Sequence, residues 1–211
     1  MKALIVCGGK KPSKEILKQY INDDTYIICA DSGANCLYEY EITPNMLLGD
    51  FDSIKAEVLS YYLSKGIEIC KFPAEKNFTD TEAALSEAIL KKPEKIFFFG
   101  ATGSRLDHLL ANIGLLYRCF QSGIKGYIID DNNEVTIYDK AFYIEGIEGQ
   151  LFSLVAFGAE VKALNIEGAK YPLKNYNLSF GDPRTVSNEI AKGKAHITFD
   201  SGVIILIKSK D

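Results

Sequence analysis

Two aspartates separated by one residue, Asp50 and Asp52, follow a short apolar segment at residues 46–48. In extended backbone, residues i and i+2 point to the same side, so the two carboxylates can converge on one cation. Carboxylate oxygens suit Mg²⁺, which uses one or two of them and completes its shell with water and substrate phosphates. Capping of the helix predicted to follow is the structural alternative. The spacing therefore indicates a candidate site for metal-assisted phosphate chemistry.

Three more polar clusters follow predicted strands. They contain Asp31 within residues 30–35, Thr79 and Asp80 within residues 76–82, and Asp107 within residues 100–108. Two of these clusters also fit a helix capping box, which needs no ligand. However, aspartates gathered at one rim would repel one another unless a divalent cation offset their charge. The four clusters together favour a metal–phosphate site over four separate helix caps.

The last cluster adds groups that bind anions. Gly100 and Gly103 permit a tight turn whose N–H groups, with the following helix N-terminus, can hold anionic oxygens. Arg105, His108 and Asn112 share one face of the predicted helix. Arg105 is a candidate phosphate clamp, whereas His108 either binds a phosphate or caps a neighbouring loop. The predicted buried stripe of this helix consists of Leu106, Leu109, Leu110, Ile113 and Leu116.

The elements that would position these residues alternate in type as far as residue 131. Apolar runs predict strands at residues 3–7, 26–30, 46–48, 67–71, 95–99 and 126–129. Helical periodicity predicts helices at residues 13–21, 34–40, 55–64, 79–90 and 105–121. This alternation is typical of a doubly wound α/β fold, a mostly parallel sheet with helices on both faces. Ligands bind such sheets beyond the carboxyl ends of the strands, which is where the four clusters lie.

The pattern changes after residue 131. Short β-rich runs follow at residues 134–138, 142–144, 150–157, 162–166, 196–199 and 203–208, separated by turn-forming residues. They predict a small antiparallel β-sandwich. We therefore expect an α/β domain at residues 1–131, which carries the candidate metal–phosphate site, and a β-sandwich domain at residues 132–211.

Composition excludes several classes of protein. The 211 residues carry a formal net charge of −4, whereas nucleic-acid-binding domains are usually basic. No apolar run approaches the roughly 18 residues that span a membrane. The five cysteines show no C-x-x-C spacing, which argues against a disulfide framework or a zinc site. We expect a cytoplasmic protein that handles small molecules, with no nucleic-acid or membrane partner.

Several catalytic motifs are absent from the sequence. It contains no Walker loop, no G-x-S-x-G elbow and no G-x-G-x-x-G dinucleotide fingerprint. Two interpretations remain at this point. One is metal-assisted phosphoryl-type transfer on a scaffold without a P-loop, and the other is nucleotide binding without chemistry.

An ordered set of motifs resembles the bacterial branch of the thiamine pyrophosphokinase family. The motifs are Ala-Asp-Ser-Gly-Ala-Asn at 30–35, Gly-Asp-Phe-Asp-Ser at 49–53, Thr-Asp-Thr-Glu-Ala-Ala-Leu at 79–85, Gly-Ser-Arg-Leu-Asp-His at 103–108 with Asn112, Lys-Tyr-Pro-Leu at 170–173 and Val-Ser-Asn-Glu at 186–189. The resemblance covers almost the whole chain. Ser32 and Asn77 depart from it, since the family usually has glycine at the first position and an acidic residue at the second.

The resemblance implies an enzyme that transfers the pyrophosphoryl group of ATP to the hydroxyl of thiamine, giving thiamine diphosphate and AMP. It implies a Mg²⁺ cofactor and a homodimer in which the C-terminal domain binds thiamine in a cleft shared with the partner subunit's α/β domain. The implied site residues are, for catalysis, Asp50, Asp52, Asp80 and Asp107, of which the first three bind the metal; for ATP, Asp31, Thr79, Gly103, Arg105, His108 and Asn112; and for thiamine, Ser187 and Asn188.

Three other interpretations compete with this one. A related pyrophosphokinase would act on another alcohol, such as a hydroxymethyl pterin. A glycosyltransferase would hold a nucleotide–sugar diphosphate through Asp50 and Asp52, but would leave the other three clusters unexplained. A non-catalytic nucleotide or thiamine sensor would not need so many carboxylates at one point.

Overall fold

The computed structural model describes residues 1–73 and 75–210. These residues form two compact units, one at Met1–Asp131 and the other from Asn132 onward. Among the described residues, none of the helices combines the length and the apolar character that crossing a membrane requires.

The N-terminal unit alternates strands and helices. Its strands are β1 (Lys2–Val6), β2 (Thr25–Ala30), β3 (Met46–Gly49), β4 (Glu68–Lys71), β5 (Lys95–Phe99) and β6 (Lys125–Ile129). Its helices are α1 (Lys14–Gln19), α2 (Gly33–Glu39), α3 (Ala56–Ser64), α4 (Asp80–Leu90) and α5 (Leu106–Gln121). Strands β1, β3 and β5 are almost wholly buried, as expected for continuous apolar runs covered on both faces.

These strands pair in parallel in the order β6-β5-β1-β2-β3-β4. Val6 on β1 lies opposite Cys29 on β2 and Phe99 on β5. The chain therefore winds outward from β1 through β4, and then returns to the other side of β1 with β5 and β6. All carboxyl ends face one edge, and the order reverses between β1 and β5. The predicted parallel sheet is confirmed.

The buried stripe that the sequence predicted for helix α5 is partly wrong. Leu106 and Leu110 each keep 69% of their surface exposed. Burial is concentrated further along the helix, where Leu116 and Cys119 lie against Gly126 on β6. Periodicity identified the helix, but it does not reveal which of its turns lie over the sheet.

The C-terminal unit consists of antiparallel strands. They are β7 (Asn133–Tyr138), β8 (Phe142–Glu145), β9 (Leu151–Ala156), β10 (Val161–Glu167), β11 (Leu173–Leu178), β12 (Asn188–Glu189), β13 (Lys194–Thr198) and β14 (Ile204–Ser209). Within this unit, one sheet has the order β12-β9-β14-β7 and the other has the order β11-β10-β13-β8.

Both sheets contribute to one apolar core, which includes Leu154 and Leu206 from the first sheet and Leu164 and Ile197 from the second. This is the predicted antiparallel sandwich, so the predicted fold class is confirmed for the chain as a whole. Strands β11 and β12 were not predicted, because polar residues dominate both of them.

Candidate active site

A cleft of about 960 Å³ lies beyond the carboxyl ends of the parallel strands. Loops that follow β1, β2, β3 and β5 line it, together with the segment before α4 and the start of α5. The predicted site residues in its lining are Asp31, Asp50, Thr79, Asp80, Gly103, Arg105, His108 and Asn112. The cleft therefore brings together residues from all four polar clusters of the sequence.

The loops after β1 and β5 meet where the strand order reverses. The Gly9 N–H donates to the Gly100 carbonyl at 2.8 Å, and the Lys10 N–H donates to the Thr102 carbonyl at 2.5 Å. Any side chain at position 9 would collide with the carbonyl oxygens of Gly100 and Thr102, so glycine is required there. Reversal points of this kind form the ligand crevices of doubly wound sheets.

Three carboxylates gather at the ends of β2 and β3. Ligand oxygens of Asp31, Asp50 and Asp52 all lie within 4.8 Å of one another. No lysine or arginine in the described part of the chain forms an ion pair with any of them. Asp31 Oδ1 is buried, and among the described residues it has no hydrogen-bond partner, which is costly unless a ligand or ion completes the site.

The backbone that carries these carboxylates is strained. Asp31 has a φ of 47° and Phe51, between the two other aspartates, has a φ of 69°. Aspartate tolerates a positive φ better than most residues, whereas for a bulky residue such as Phe51 it is an outlier, and such strain is common at functional sites. The Ser53 hydroxyl donates to Asp31 Oδ2, and the Asp52 N–H donates to Asp50 Oδ1 at 3.1 Å. Local hydrogen bonds thus hold the group together despite its like charges.

Asp80 lines the same cleft but has a cationic partner. Its Oδ1 lies 3.0 Å from Lys76 Nζ, an ion pair that lacks the geometry of a hydrogen bond. The Lys76 side chain is only 8% exposed, and its ammonium lies 5.9 Å from the ring centres of both Phe72 and Phe78. Lys76 therefore brings a partly desolvated positive charge to the cleft wall.

Arg105 precedes α5 and is paired with Asp107. The guanidinium donates through Nε at 3.2 Å and through a terminal nitrogen at 2.7 Å to the two carboxylate oxygens. This bidentate hydrogen bond lowers the pKa of the Asp107 carboxyl to about 2 and raises the pKa of Arg105. Arg105 remains 68% exposed, so the pair is a surface feature at the rim of the cleft.

The loop between β5 and α5 is held from beneath. The buried Asn112 side chain donates through Nδ2 to the Ala101 carbonyl at 2.8 Å. Thr102 Oγ1 is buried and has no hydrogen-bond partner in the described part of the chain, whereas Gly103 and His108 line the cleft as exposed residues. Asn112 thus fixes the loop, while the hydroxyl of Thr102 remains unengaged.

Two other groups in the cleft lining have structural partners. Thr79 Oγ1 accepts a hydrogen bond from the Glu82 N–H at 3.1 Å and so caps α4. Burial raises the pKa of the Cys7 thiol to about 12, so this cysteine is neutral at physiological pH. Since the thiolate is the reactive form, Cys7 is not suited to act as a nucleophile.

The predicted thiamine residues lie in the C-terminal unit and differ from each other. Ser187 is exposed and has a φ of 57°. Asn188 is 2% exposed, and its side chain donates to the Tyr171 carbonyl at 2.8 Å. Its Oδ1 accepts from the N–H groups of Tyr171 at 3.0 Å and of Glu189 at 2.9 Å. Asn188 therefore fixes the backbone at Tyr171 and Glu189.

Sequence reasoning missed part of the cleft. Gly8, Gly9 and Lys10 form one wall, although this stretch does not match a Walker loop. Their position directly after the first buried strand was the available signal. Lys76 belongs to the third polar cluster, but sequence reasoning assigned it no role, because it lies in the loop before α4, where helical spacing does not predict its pairing with Asp80.

Two family models match the chain. Residues 17–128 match the model described as "Thiamin pyrophosphokinase, catalytic domain", and residues 133–204 match "Thiamin pyrophosphokinase, vitamin B1 binding domain". Thiamine pyrophosphokinase of Bacillus subtilis is 34% identical over 209 residues, which cover 98% of each chain. Thiamine pyrophosphokinase 1 of rice, Oryza sativa subsp. japonica, is 28% identical and covers 87% of this chain and 79% of that protein.

Solved structures agree with the sequence comparisons. The crystal structure of thiamine pyrophosphokinase from Bacillus subtilis matches with a TM-score of 0.92 and 32% identity over the full length of both chains. The crystal structure of thiamin pyrophosphokinase from Geobacillus thermodenitrificans matches with a TM-score of 0.87 and 31% identity, covering 100% of this chain and 98% of that one. The similarity therefore extends over both units of the chain.

Proposed function

Since the chain belongs to the thiamine pyrophosphokinase family, it transfers the pyrophosphoryl group of ATP to thiamine, and we propose that the reaction takes place in the cleft of the N-terminal unit. One observation carries this proposal. The carboxylates of Asp31, Asp50 and Asp52 lie within 4.8 Å of one another. The cleft beside them is lined by cationic side chains and by a glycine-rich loop. This is the set of groups that polyphosphate chemistry requires.

The acidic group fits a divalent metal. Its donors are carboxylate oxygens, the type that Mg²⁺ prefers, and Asp31 provides a buried oxygen that lacks a partner. We propose that Asp50 and Asp52 hold Mg²⁺ together with Asp31, and that Asp80 is a further ligand from the same cleft. When bound, the metal would offset negative charge on the triphosphate.

The chain's own residues would position the nucleotide. Arg105 presents a planar guanidinium suited to phosphate oxygens, and Asp107 holds that guanidinium in one orientation. Lys76 supplies a second positive charge. Gly103 and the N-terminus of α5 offer backbone N–H groups to anionic oxygens, with His108 and the Thr102 hydroxyl as additional donors. Asn112 and Thr79 would contribute by holding the loop and α4 in place.

The chemical step is a displacement at phosphorus. A bond forms between the thiamine hydroxyl oxygen and the β-phosphorus, and the bond from that phosphorus to the bridging α–β oxygen breaks. AMP leaves, and the hydroxyl proton is lost. Such transfers require mainly positioning and electrostatic stabilisation from the protein.

The C-terminal unit would recognise thiamine. Ser187 is exposed and carries a strained backbone, so we propose that it contacts the substrate directly. Asn188 is engaged with Tyr171, so we propose that it contributes chiefly by shaping the neighbouring backbone. The family model that matches residues 133–204 supports thiamine recognition by this unit, since it is described as vitamin B1 binding.

We also propose a homodimer in a reducing cytoplasm. The exposed apolar side chains of Leu106 and Leu110 support burial against a second subunit, and the free thiols of all five cysteines support a reducing compartment.

A site shared between the two subunits can be tested in mixed dimers of Asp52→Asn and Asn188→Ala subunits. Activity restored in the mixture would support it, and an inactive mixture with proven heterodimer would contradict it.

The most direct test of the activity compares acceptor alcohols. The protein is incubated with ATP and Mg²⁺, together with thiamine, a hydroxymethyl pterin or no alcohol, and AMP is quantified by chromatography. We expect equal amounts of AMP and thiamine diphosphate in the incubation that contains thiamine, and no AMP in the other two. AMP formation with the pterin instead would favour the related pyrophosphokinase, for which the comparisons offer no support.

A further inference from the structure

Asn35 lies in the first turn of α2 and contacts the segment that follows Asp50 and Asp52. Its Nδ2 donates to the Ser53 carbonyl at 3.1 Å, and its Oδ1 accepts from the Lys55 N–H at 3.1 Å. A single side-chain amide thus satisfies a backbone acceptor and a backbone donor on either side of Ile54. This arrangement ties the loop after β3 to the helix that follows β2.

The same segment reaches the carboxylates directly. The hydroxyl of Ser53 donates to Asp31 Oδ2, so Ser53 is held by Asn35 through its carbonyl and holds Asp31 through its side chain. Phe51 keeps a positive φ between the two aspartates. Strained backbone of this kind persists only where the surroundings over-determine it, and the two hydrogen bonds of Asn35 hold the backbone two and four residues further along.

We propose that Asn35 is a positioning residue for the cation site, acting through Ser53 and Lys55 on the relative placement of Asp31, Asp50 and Asp52. This inference rests on the proposed function, since it assumes that the three carboxylates bind a divalent metal. Residues that orient metal ligands affect affinity strongly, because the ligands must already be in place when the ion arrives. Asn35 would raise metal affinity without touching the metal or the substrate.

The test measures metal binding directly. Mn²⁺ is titrated into the purified protein, and free Mn²⁺ is followed by electron paramagnetic resonance well below the melting temperature. We expect Asn35→Ala to bind Mn²⁺ about tenfold more weakly than the unmodified protein. In turnover assays the same variant should need more Mg²⁺ for half-maximal rate, yet approach the normal kcat at saturating Mg²⁺.

Asn45 offers a matched control. Its Oδ1 accepts from the Ile27 N–H at 2.7 Å, so it too is an asparagine that holds backbone, but it lies at the opposite end of β3. Asn45→Ala should lower the melting temperature comparably and leave Mn²⁺ affinity unchanged. A similar loss of affinity in both variants would overturn the positioning role, because general loosening of the fold would then explain it.

Lys55→Pro provides a second variant that leaves Asn35 intact. Lys55 has a φ of −63°, which suits proline, and the substitution removes the N–H that binds Asn35 Oδ1. We expect weaker Mn²⁺ binding here too, and this variant decides the matter if Asn35→Ala does not fold. Normal Mn²⁺ affinity in a folded Asn35→Ala protein would overturn the inference. If Asn35→Ala does not fold, normal Mn²⁺ affinity in Lys55→Pro would overturn it. An unmodified protein that binds no Mn²⁺ would instead overturn the cation site itself, and this inference with it.

Discussion

The cleft of the N-terminal unit and the 187–189 segment of the C-terminal unit use their polar groups in opposite ways. In the cleft, Asp31 Oδ1 and Thr102 Oγ1 are buried and have no hydrogen-bond partner within residues 1–73 and 75–210. In the C-terminal segment, the buried amide of Asn188 makes three hydrogen bonds to backbone groups. Buried polar groups are normally satisfied, so the unengaged oxygens indicate a place prepared for a ligand. The engaged amide indicates a place that maintains the fold.

This difference predicts opposite responses to substitution. Changes at the carboxylates should remove activity and leave stability nearly intact, because these groups support little else in the structure. A change at Asn188 should reduce stability first.

The largest effect is expected from Asp52→Asn. Asn caps a helix as well as Asp does, so a capping role would leave activity almost unchanged. Loss of a charged ligand should instead reduce kcat by about 100-fold or more, with the melting temperature preserved. Asp23→Asn, at an exposed turn remote from the cleft lining, is the control. Near-normal turnover at saturating Mg²⁺ with a lowered melting temperature would show that Asp52 is structural.

The next effect is on stability. Asn188→Ala leaves both backbone groups of Tyr171 and the N–H of Glu189 without their partner, and should lower the free energy of unfolding by about 3 kcal/mol. Ser187→Ala should change it by about 0.5 kcal/mol or less. Urea denaturation measures both values.

The KM values of Ser187→Ala and Asn188→Ala test whether the 187–189 segment also recognises thiamine. If the segment recognises thiamine, both substitutions should raise the KM for thiamine far more than the KM for ATP. A fully stable Asn188→Ala protein would break the contrast between the two regions, because its three hydrogen bonds would then contribute nothing to the fold.

Arg105→Lys should have an intermediate effect. Lysine retains the charge but not the planar fork that matches phosphate oxygens, so the KM for ATP should rise, or kcat fall, about tenfold. Arg118→Lys is the matched control, since Arg118 pairs with Glu82 at 2.6 Å. Identical nucleotide kinetics for Arg105→Lys and the unmodified protein would remove Arg105 from the site.

The smallest effect concerns pH. The pKa of Asp107 in the folded protein, about 2, lies below that of an ordinary aspartate near 3.9. The Arg105–Asp107 pair therefore stabilises the fold fully above about pH 4 and loses this effect as the pH falls through about 2. Carboxyl NMR titration should give Asp107 a pKa of about 2, and Arg105→Gln should raise it. An ordinary pKa in the unmodified protein would show that the pair does not persist in solution.

The sequence predicted most of the elements. Buried apolar runs identified every strand of the N-terminal unit, and helical periodicity identified its helices. It also predicted that Asp50 and Asp52 would lie close together, but the structure achieves this with a positive φ at Phe51 rather than with the extended backbone that the prediction assumed. It did not predict that β5 lies beside β1, and so it missed the wall formed by Gly9 and Lys10. Strand order depends on contacts between distant segments, which local patterns do not record.

The same limit applies to individual side chains. The family resemblance grouped Asp80 with Asp50 and Asp52, whereas in the structure Asp31 completes the close group and Asp80 pairs with Lys76. Which carboxylate a lysine neutralises depends on the path of the loop between them. For the same reason, the sequence could not reveal that the amide of Asn188 is engaged with Tyr171.

The most direct test of the central claim locates the cation itself. Crystals are grown with Mn²⁺ and α,β-methylene ATP, in which the bond that breaks during transfer is replaced, and the metal is located from its anomalous scattering. We expect a peak at bonding distance from carboxylate oxygens of Asp50 and Asp52, with the triphosphate in the cleft beside it. A nucleotide bound in the cleft with no metal at either aspartate, or a metal bound elsewhere, would contradict the account.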